Sequence, residues 1–458
     1  MYLSHTRLLR HITTAQSYHD LHAPQCGYPR STVINRRTPS LIFVFITLLL
    51  DVLGIGLIIP VGPKLVAQVQ GLPIEGAESQ TSLAVGILAA TYAAMQFIFA
   101  PILGSLSDRF GRRPVILISL FGSGLDYLVA AIAPNLTVLF ITRALNGISG
   151  ANISACTAYI ADVTPPERRA AGFGIIGAAF GLGFIIGPLA GGLLGEVDIR
   201  LPFVVAGSLS LINWLYGYFV LPESLPVERR SRFSWKKANP IGALAWLSRN
   251  HLVATLATTL FLLNIAQYGL HATWVLSMGM RFQWGPREVG WSLFVVGITS
   301  AIVQGGLARK IIPALGERLC LIGGIGIAVL AFAGYGLATE GWMIYVIIAA
   351  ASIGGVSGLA VQAIISKAVS PMEQGMLQGA LTGLSSIAGV LGPLVGTGAF
   401  RYFTSDMAPV RLPGASFLAG SILSIFALIP VMLVWKRMPR TVEQVPNSDG
   451  ASVSDAES

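Results

Sequence analysis

Charge is what this chain has least of. Of its 458 residues only 11% are Asp, Glu, Lys or Arg, against a hydrophobic share of 53%. Soluble domains carry about 25% charged residues. So few ionic groups cannot cover a water-facing surface. That excludes an ordinary soluble enzyme, a nucleic-acid-binding protein and a disordered chain, and leaves lipid as the main solvent. Cysteine is scarce too. Cys26, Cys156 and Cys320 are odd in number and far apart, so they give neither a disulfide framework nor a CxxC metal pair. Catalytic signatures are missing as well: no Gly-x4-Gly-Lys-Ser/Thr phosphate loop, no His-Glu-x-x-His, and no Gly-x-Ser-x-Gly elbow between a strand and a helix. An enzyme is not expected, nor a metal site or a bound cofactor.

What the chain does have is long apolar runs. They lie near 40–63, 82–107, 114–133, 136–161, 170–195 and 201–221, and then near 251–280, 289–308, 319–339, 341–366, 374–400 and 412–435. A spanning helix needs about 20 residues, so the expected fold is an all-α membrane protein of twelve spans in two six-helix bundles. The domain reading is a cytoplasmic tail (1–38), a first bundle (39–221), a cytoplasmic linker (222–250), a second bundle (251–437) and a second tail (438–458). Neither tail has the composition of a folded domain, and the histidines at 5, 11, 19 and 22 show no ligand spacing. With the N-terminus inside, 23 of the 30 Lys and Arg residues fall on inside segments and six on outside loops. That bias places both termini in the cytoplasm.

The two halves echo each other at an offset of 205 residues. Gly111 corresponds to Gly316, Pro166 to Pro371, Gly187-Pro188 to Gly392-Pro393, and Gly191 to Gly396. Related six-helix halves imply a pseudo-twofold transporter with its site between them.

A charge at a helix centre costs about 2.5–3.5 kcal/mol on insertion scales, so each needs a reason. Three occur, all in the first half: Asp51 in span one, Asp126 in span three and Arg143 in span four. By depth Asp126 and Arg143 can reach each other, either as an ion pair that fixes packing or as proton carriers beside a cavity. Asp51 has no cation at its depth and reads as functional. Polar stripes in the second half suggest a substrate surface. Asn264, Gln267, His271 and Trp274 share one face of span seven, and Gln96, Gln304, Gln362 and Gln378 add polar points on other spans. Interhelical hydrogen bonding is the other reading of such residues. Asn152-Ile-Ser154 matches a glycosylation acceptor, but it lies within a span.

Between spans two and three stands Gly104-Ser-Leu-Ser-Asp108-Arg109-Phe-Gly111-Arg112-Arg113. An Asp among three Arg at a helix junction can form a charge network that breaks when the halves rock. The string closely resembles the Gly-x-x-x-Asp-Arg/Lys-x-Gly-Arg-Arg/Lys loop of the major facilitator superfamily. Arg143-Ala-Leu-Asn146-Gly147 resembles that superfamily's Arg-x-x-Gln-Gly motif, linked to proton coupling. Gly183-x-x-x-Gly187-Pro188-x-x-Gly191-Gly192 resembles the motif of its drug/proton antiporters. Over residues 40–435 the chain is most similar to tetracycline efflux proteins, in LLLDVLGIGLIIPV, SDRFGRRPVILISLFGSGLDYLVAA and IADVTPPERRAAGFGIIGAAFGLGFIIGPLAGGLLGE. It departs from them at Ala328 and Ser300, where those proteins carry an acid and a histidine, and its second half has no membrane-embedded carboxylate.

The resemblance implies proton-driven export of an amphipathic, drug-like small molecule by alternating access. The proton is the coupling ion, the substrate a possible magnesium chelate, and the working form a monomer in the cytoplasmic membrane. Asp51, Asp108, Arg112, Asp126 and Arg143 match the family's functional positions. A proton symporter importing a metabolite is the alternative, and a non-transporting receptor or scaffold a third reading.

Overall fold

The structure, a computed structural model, describes residues 41–165, 169–231, 233, 247, 250–370 and 373–438. Both tails, with their histidines and Cys26, most of the linker, and Pro166 and Pro371 lie outside the described residues. Among those residues every regular element is a helix. The first half runs α1 (Leu41–Ile58), α2 (Gly62–Val69), α3 (Glu78–Phe110), α4 (Arg112–Ala131), α5 (Leu136–Ser149), α6 (Ile153–Val163), α7 (Arg169–Val197) and α8 (Leu201–Val220). The second runs α9 (His251–Phe282), α10 (Pro286–Ile302), α11 (Ala308–Leu315), α12 (Glu317–Leu337), α13 (Gly341–Gly354), α14 (Val356–Lys367), α15 (Gln374–Thr404) and α16 (Ala415–Val434).

Among the described residues ten helical stretches are long and apolar enough to cross a membrane, counting α10 with α11 and α13 with α14 as one each, and α1 with α2 makes an eleventh crossing bent by 54°. Pro63 in the first turn of α2 and Gly62 before it account for that bend. The expected span 136–161 is not one helix. α5 and α6 meet at a turn of 3-10 helix, Gly150–Asn152, so neither piece alone has the length of a span. The counterpart at the 205-residue offset, α13 and α14, breaks at Gly355.

Each half has its own apolar core. Leu57, Val61, Tyr127 and Phe203 centre one first-half cluster, and Phe43, Leu120 and Tyr159 another. In the second half Leu256, Ile325 and Ile364 form one, and Trp274, Tyr335 and Phe417 another. Among the described residues the halves meet mainly through two helix pairs, α3 with α15 and α7 with α10, and α3 also touches α9. Lipid gives helices no hydrophobic reason to associate, so close van der Waals approach must supply it, and small residues allow that. On one side of α7, Gly183 and Gly187 press on Val52, Leu53 and Gly56 of α1, with Gly187 Cα 2.9 Å from the position of a Cβ on Gly56. On its other side, Gly192 meets Gly290 of α10. The second half repeats the crossing, where Gly392 and Gly396 of α15 lie on Gly269 of α9. The antiporter-like glycines are therefore a packing seam present in both halves.

The contacts between halves gather at the end remote from the Gly104–Arg113 loop. There Thr404 Oγ1 donates to Ser79 Oγ at 2.8 Å, Arg287 pairs with Glu196 at 3.7 Å, and Thr397 fills the space beside Gly86. At the loop end Gly177, Gly181, Gly305 and Gly379 border open space, and Gln304 and Gln378 are exposed. Among the described residues no hydrogen bond or ion pair joins the halves at that end.

The seam makes a direct prediction. A Cβ on Gly191 would run into the Leu57 carbonyl, whereas one on Gly181 would meet nothing within 4 Å. Gly191→Val should lower the melting temperature of the detergent-solubilised protein by the equivalent of about 3 kcal/mol or more. Gly181→Ala should leave it unchanged or slightly raised.

Candidate functional site

Two polar assemblies stand out, one at the loop end and one in mid-membrane. At the loop, α3 must stop and α4 start within one residue. Gly111 makes the corner at φ 106°, ψ 158°, a conformation that L side chains rarely adopt, and Gly316 makes the equivalent corner at φ 81°, ψ 153°. Arg112, buried at 8% exposure, is the hub. Its guanidinium pairs with Asp108 at 2.5 Å and Asp162 at 3.1 Å and donates to Ser107 Oγ at 2.6 Å. Its backbone N–H donates to Glu223 Oε1 at 2.9 Å. Glu223 also accepts from Leu225 N and faces Arg230 at 3.9 Å, and Ser231 N donates to the Asp108 carbonyl at 3.1 Å. The start of the linker is thus tied onto the loop.

The other loop residues do different jobs. Arg113 donates to the Tyr218 carbonyl at 2.6 Å and lies over that ring, Arg109 is exposed over Phe110, and Gly104 lies near Ser154. Only one of the three arginines engages the aspartate.

Asp162 and Glu223 were not singled out from the sequence, yet the repeat carries their signal. At the 205-residue offset Arg112 corresponds to Glu317 and Asp162 to Lys367. Lys367 Nζ pairs with Glu317 Oε1 at 2.5 Å. The same two positions pair in both halves with the charges exchanged.

In mid-membrane, Asp51 of α1 faces a cavity lined also by Tyr92, Tyr127, Asn146, Gly150 and Asn152. Asn152 Nδ2 donates to Asp51 Oδ2 at 2.9 Å. Gln96 Nε2 donates to the Gly150 carbonyl at 3.3 Å and reaches Tyr92 Oη at 3.4 Å. Asp126 lies behind this cavity at 4% exposure. Arg143 and Asn146 are its polar neighbours, but neither carboxylate oxygen has a hydrogen-bond partner. Among the described residues Asp51, Asp126 and Arg143 close no ion pair. The packing ion pair between Asp126 and Arg143 is therefore not formed.

The second-half stripe divides. Asn264 Nδ2 donates to Ser385 Oγ at 2.9 Å, and Gln267 and His271 side chains meet at 2.9 Å on an exposed face. Tyr268 packs edge-on to His271. Gln362 Nε2 lies 3.5 Å from Gln378 Oε1, and Gln304 lies in a π-helical turn, Val303–Leu307, against Gly355. Trp274 does not join them. It is about 80° around the helix from Asn264 at 100° per residue. It is 2% exposed, packs on Tyr335 and Phe417, and donates to Ser292 Oγ at 3.1 Å. Its place is the core. Ala328 packs against that same core cluster.

Comparison with known proteins decides what this arrangement is. The sequence model of the Major Facilitator Superfamily matches residues 44–361. The chain belongs to the Major Facilitator Superfamily. The tetracycline resistance protein, class C, of Escherichia coli is 38% identical over 389 residues, covering 85% of this chain and 95% of that protein. Among solved structures, the human organic anion transporter MFSD10 matches with a TM-score of 0.63 and 26% identity, over 86% of this chain and 99% of that one. An inward-facing, unoccupied bacterial homologue of the human lysosomal transporter Spinster matches with a TM-score of 0.70 over 88% of this chain and 98% of that one. At 17% identity it supports the fold alone. The protein is thus a multi-pass membrane protein of a transporter superfamily.

The exchanged ion pairs can be tested by thermal unfolding of the purified superfamily member. Lys367 is 60% exposed and Glu317 19%, so Glu317→Lys or Lys367→Glu should each cost about 0.5–1 kcal/mol, and the double exchange should recover most of it. Arg112→Ala leaves Asp162 with only the 3.3 Å bond from Ser224 Oγ and takes from Ser107 its guanidinium donor, and should cost about 3 kcal/mol.

Proposed function

We propose that this protein is a secondary active antiporter of the superfamily. It exports tetracycline or a related amphipathic molecule from the cytoplasm in exchange for protons, by alternating access. The observation that carries the reading is the state of the first-half carboxylates. Among the described residues Asp51 borders a cavity with the Asn152 amide as its hydrogen-bond partner, and neither Asp51 nor Asp126 closes an ion pair. A carboxylate without a fixed cation is free to exchange a proton for a substrate cation or chelate. Relatives named for tetracycline resistance supply the substrate class.

The cycle follows from competition at one site. A proton arriving from outside neutralises the Asp51 and Asp126 region and lowers its hold on substrate. Release of that proton to the cytoplasm restores the charge that attracts the next molecule, a linkage between two conformations. The loop end, on the cytoplasmic side by the charge bias, is open while the far seam is closed. Recognition in the second half rests on amides, hydroxyls, His271 and aromatic rings, with magnesium travelling as part of the substrate. The reading also places both termini in the cytoplasm, the chain in the cytoplasmic membrane, and the monomer as the working unit.

Everted membrane vesicles test this. Tetracycline with magnesium should accumulate in vesicles when an acid-inside gradient is imposed, and collapsing the gradient should stop it. Asp51→Asn should lower gradient-driven uptake by about tenfold or more. Uptake indifferent to the gradient would remove antiport, and full uptake by Asp51→Asn would remove its role.

A further inference from the structure

Asp51 is held by one polar side chain, and the chain goes out of its way to supply it. Asn152 is 2% exposed and sits in the 3-10 turn between α5 and α6. Three residues sweep about 360° in a 3-10 helix against about 300° in an α-helix, so the turn rotates α6 by about 60° relative to a continuous span. Polar contacts hold the turn in place. Gln96 takes up the Gly150 carbonyl, and Ser154 Oγ donates to the Ala151 carbonyl at 2.9 Å and the Ala100 carbonyl at 3.2 Å.

The second half provides an internal comparison. Its corresponding span breaks at the same register, at Gly355, but Ser357, at the offset of Asn152, turns its hydroxyl back onto the Gly354 carbonyl at 2.8 Å. At the offset of Asp51 stands Leu256, which has no carboxylate. The break is common to both halves. The amide aimed across to span one is present only where there is a carboxylate to receive it.

We propose that Asn152 is a positioning residue for Asp51, which ties the proton state of that carboxylate to the geometry of span four. The coupling role rests on the antiport reading above. The groups facing Asp51 are Tyr92 from α3, Tyr127 from α4 and Cys156 from α6, with Arg143 of α5 acting on the same two tyrosines. α7 presents glycines to α1, and α8 presents Asn213 to Thr47. Asn152 is the one neutral donor in this group that contacts the carboxylate. When Asp51 is ionised the amide N–H has an anion to bind, which draws α6 towards α1. When Asp51 takes a proton that pull weakens, and span four is released from span one.

Two readouts on the full chain in proteoliposomes test this, with tetracycline and magnesium as the transported probe. Asn152→Ala should lose gradient-driven uptake by about tenfold, and counterflow exchange, which needs no net proton movement, by clearly less. Asn152→Asp, nearly isosteric, should show the same split if the alanine variant folds poorly. Ser357→Ala should change neither. Equal losses in both assays, or none, would overturn the proposal.

The second readout needs no substrate. In the infrared difference spectrum between acid and alkaline pH, the carboxyl band lost in Asp51→Asn should shift in Asn152→Ala, and an unshifted band overturns the positioning role. A parent protein with counterflow but no gradient response removes the antiport reading and the coupling role with it. The infrared band then decides the positioning role alone.

Discussion

Lipid offers no hydrogen bonds, and the arrangement of the polar groups within the described spans follows from that constraint. Most hydroxyls within the spans close onto their own helix. Thr157 donates to the Ile153 carbonyl, Thr397 to Pro393 and Ser424 to Gly420, each one turn back. Others bridge neighbouring helices, as Thr47 does to Asn213 and Ser352 to Thr299. Against that background the Asp51 and Asp126 region is exceptional. Arg143 neighbours Asp126, yet among the described residues neither acid closes an ion pair with it. Groups that are expensive to bury and left without a fixed counter-charge are chemically available, and packing alone gives no reason to keep them so.

The internal repeat separates what architecture requires from what the mechanism adds. Both halves keep a positive-φ glycine at the corner, a glycine crossing between the first and fifth spans, a break in the fourth, and an ion pair tying the corner to the end of the fourth span. These are common because they solve one packing problem twice. The ion pair keeps its position while exchanging its charges, so its architectural content is attraction and not sign. The remaining differences are one-sided: the second and third contacts of Arg112, the linker on Glu223, the two carboxylates and the amide of Asn152 all belong to the first half.

Much of this was legible in the sequence. Span positions followed from hydropathy, the family from the Gly104–Arg113 string, and the mid-membrane acids from the rarity of charge. What escaped shares a physical cause. Asp162 and Glu223 lie 50 and 111 residues from Arg112, and only helix packing brings them to it. The 3-10 turn at Gly150–Asn152 left the apolar run intact, so hydropathy read one helix where there are two. Asn152 looked like part of a glycosylation pattern because its partner lies 101 residues away on another span. Trp274 lay near the edge of a polar stripe, where a rotation of tens of degrees decides between cavity and core. Single-helix periodicity cannot make that decision without knowing where the neighbouring helices stand.

The two ends of the molecule are held by different forces, and that difference constrains how it can move. The far end is closed chiefly by glycine-mediated contact between backbones, which is short-ranged and depends on register. Sliding one helix along another would drive a side chain into a carbonyl, as at Gly192 and Pro286. Such a seam opens by separating. The loop end is held within each half by ion pairs and charge-assisted hydrogen bonds, and among the described residues none of these joins one half to the other. Because each half carries its own apolar core, rigid rocking about the mid-membrane region satisfies both conditions, while shear satisfies neither. The carboxylates stand at that level, among spans one, three and four. In the proposed cycle, a change of charge there acts where each half would turn, and the ends of the spans would magnify the motion.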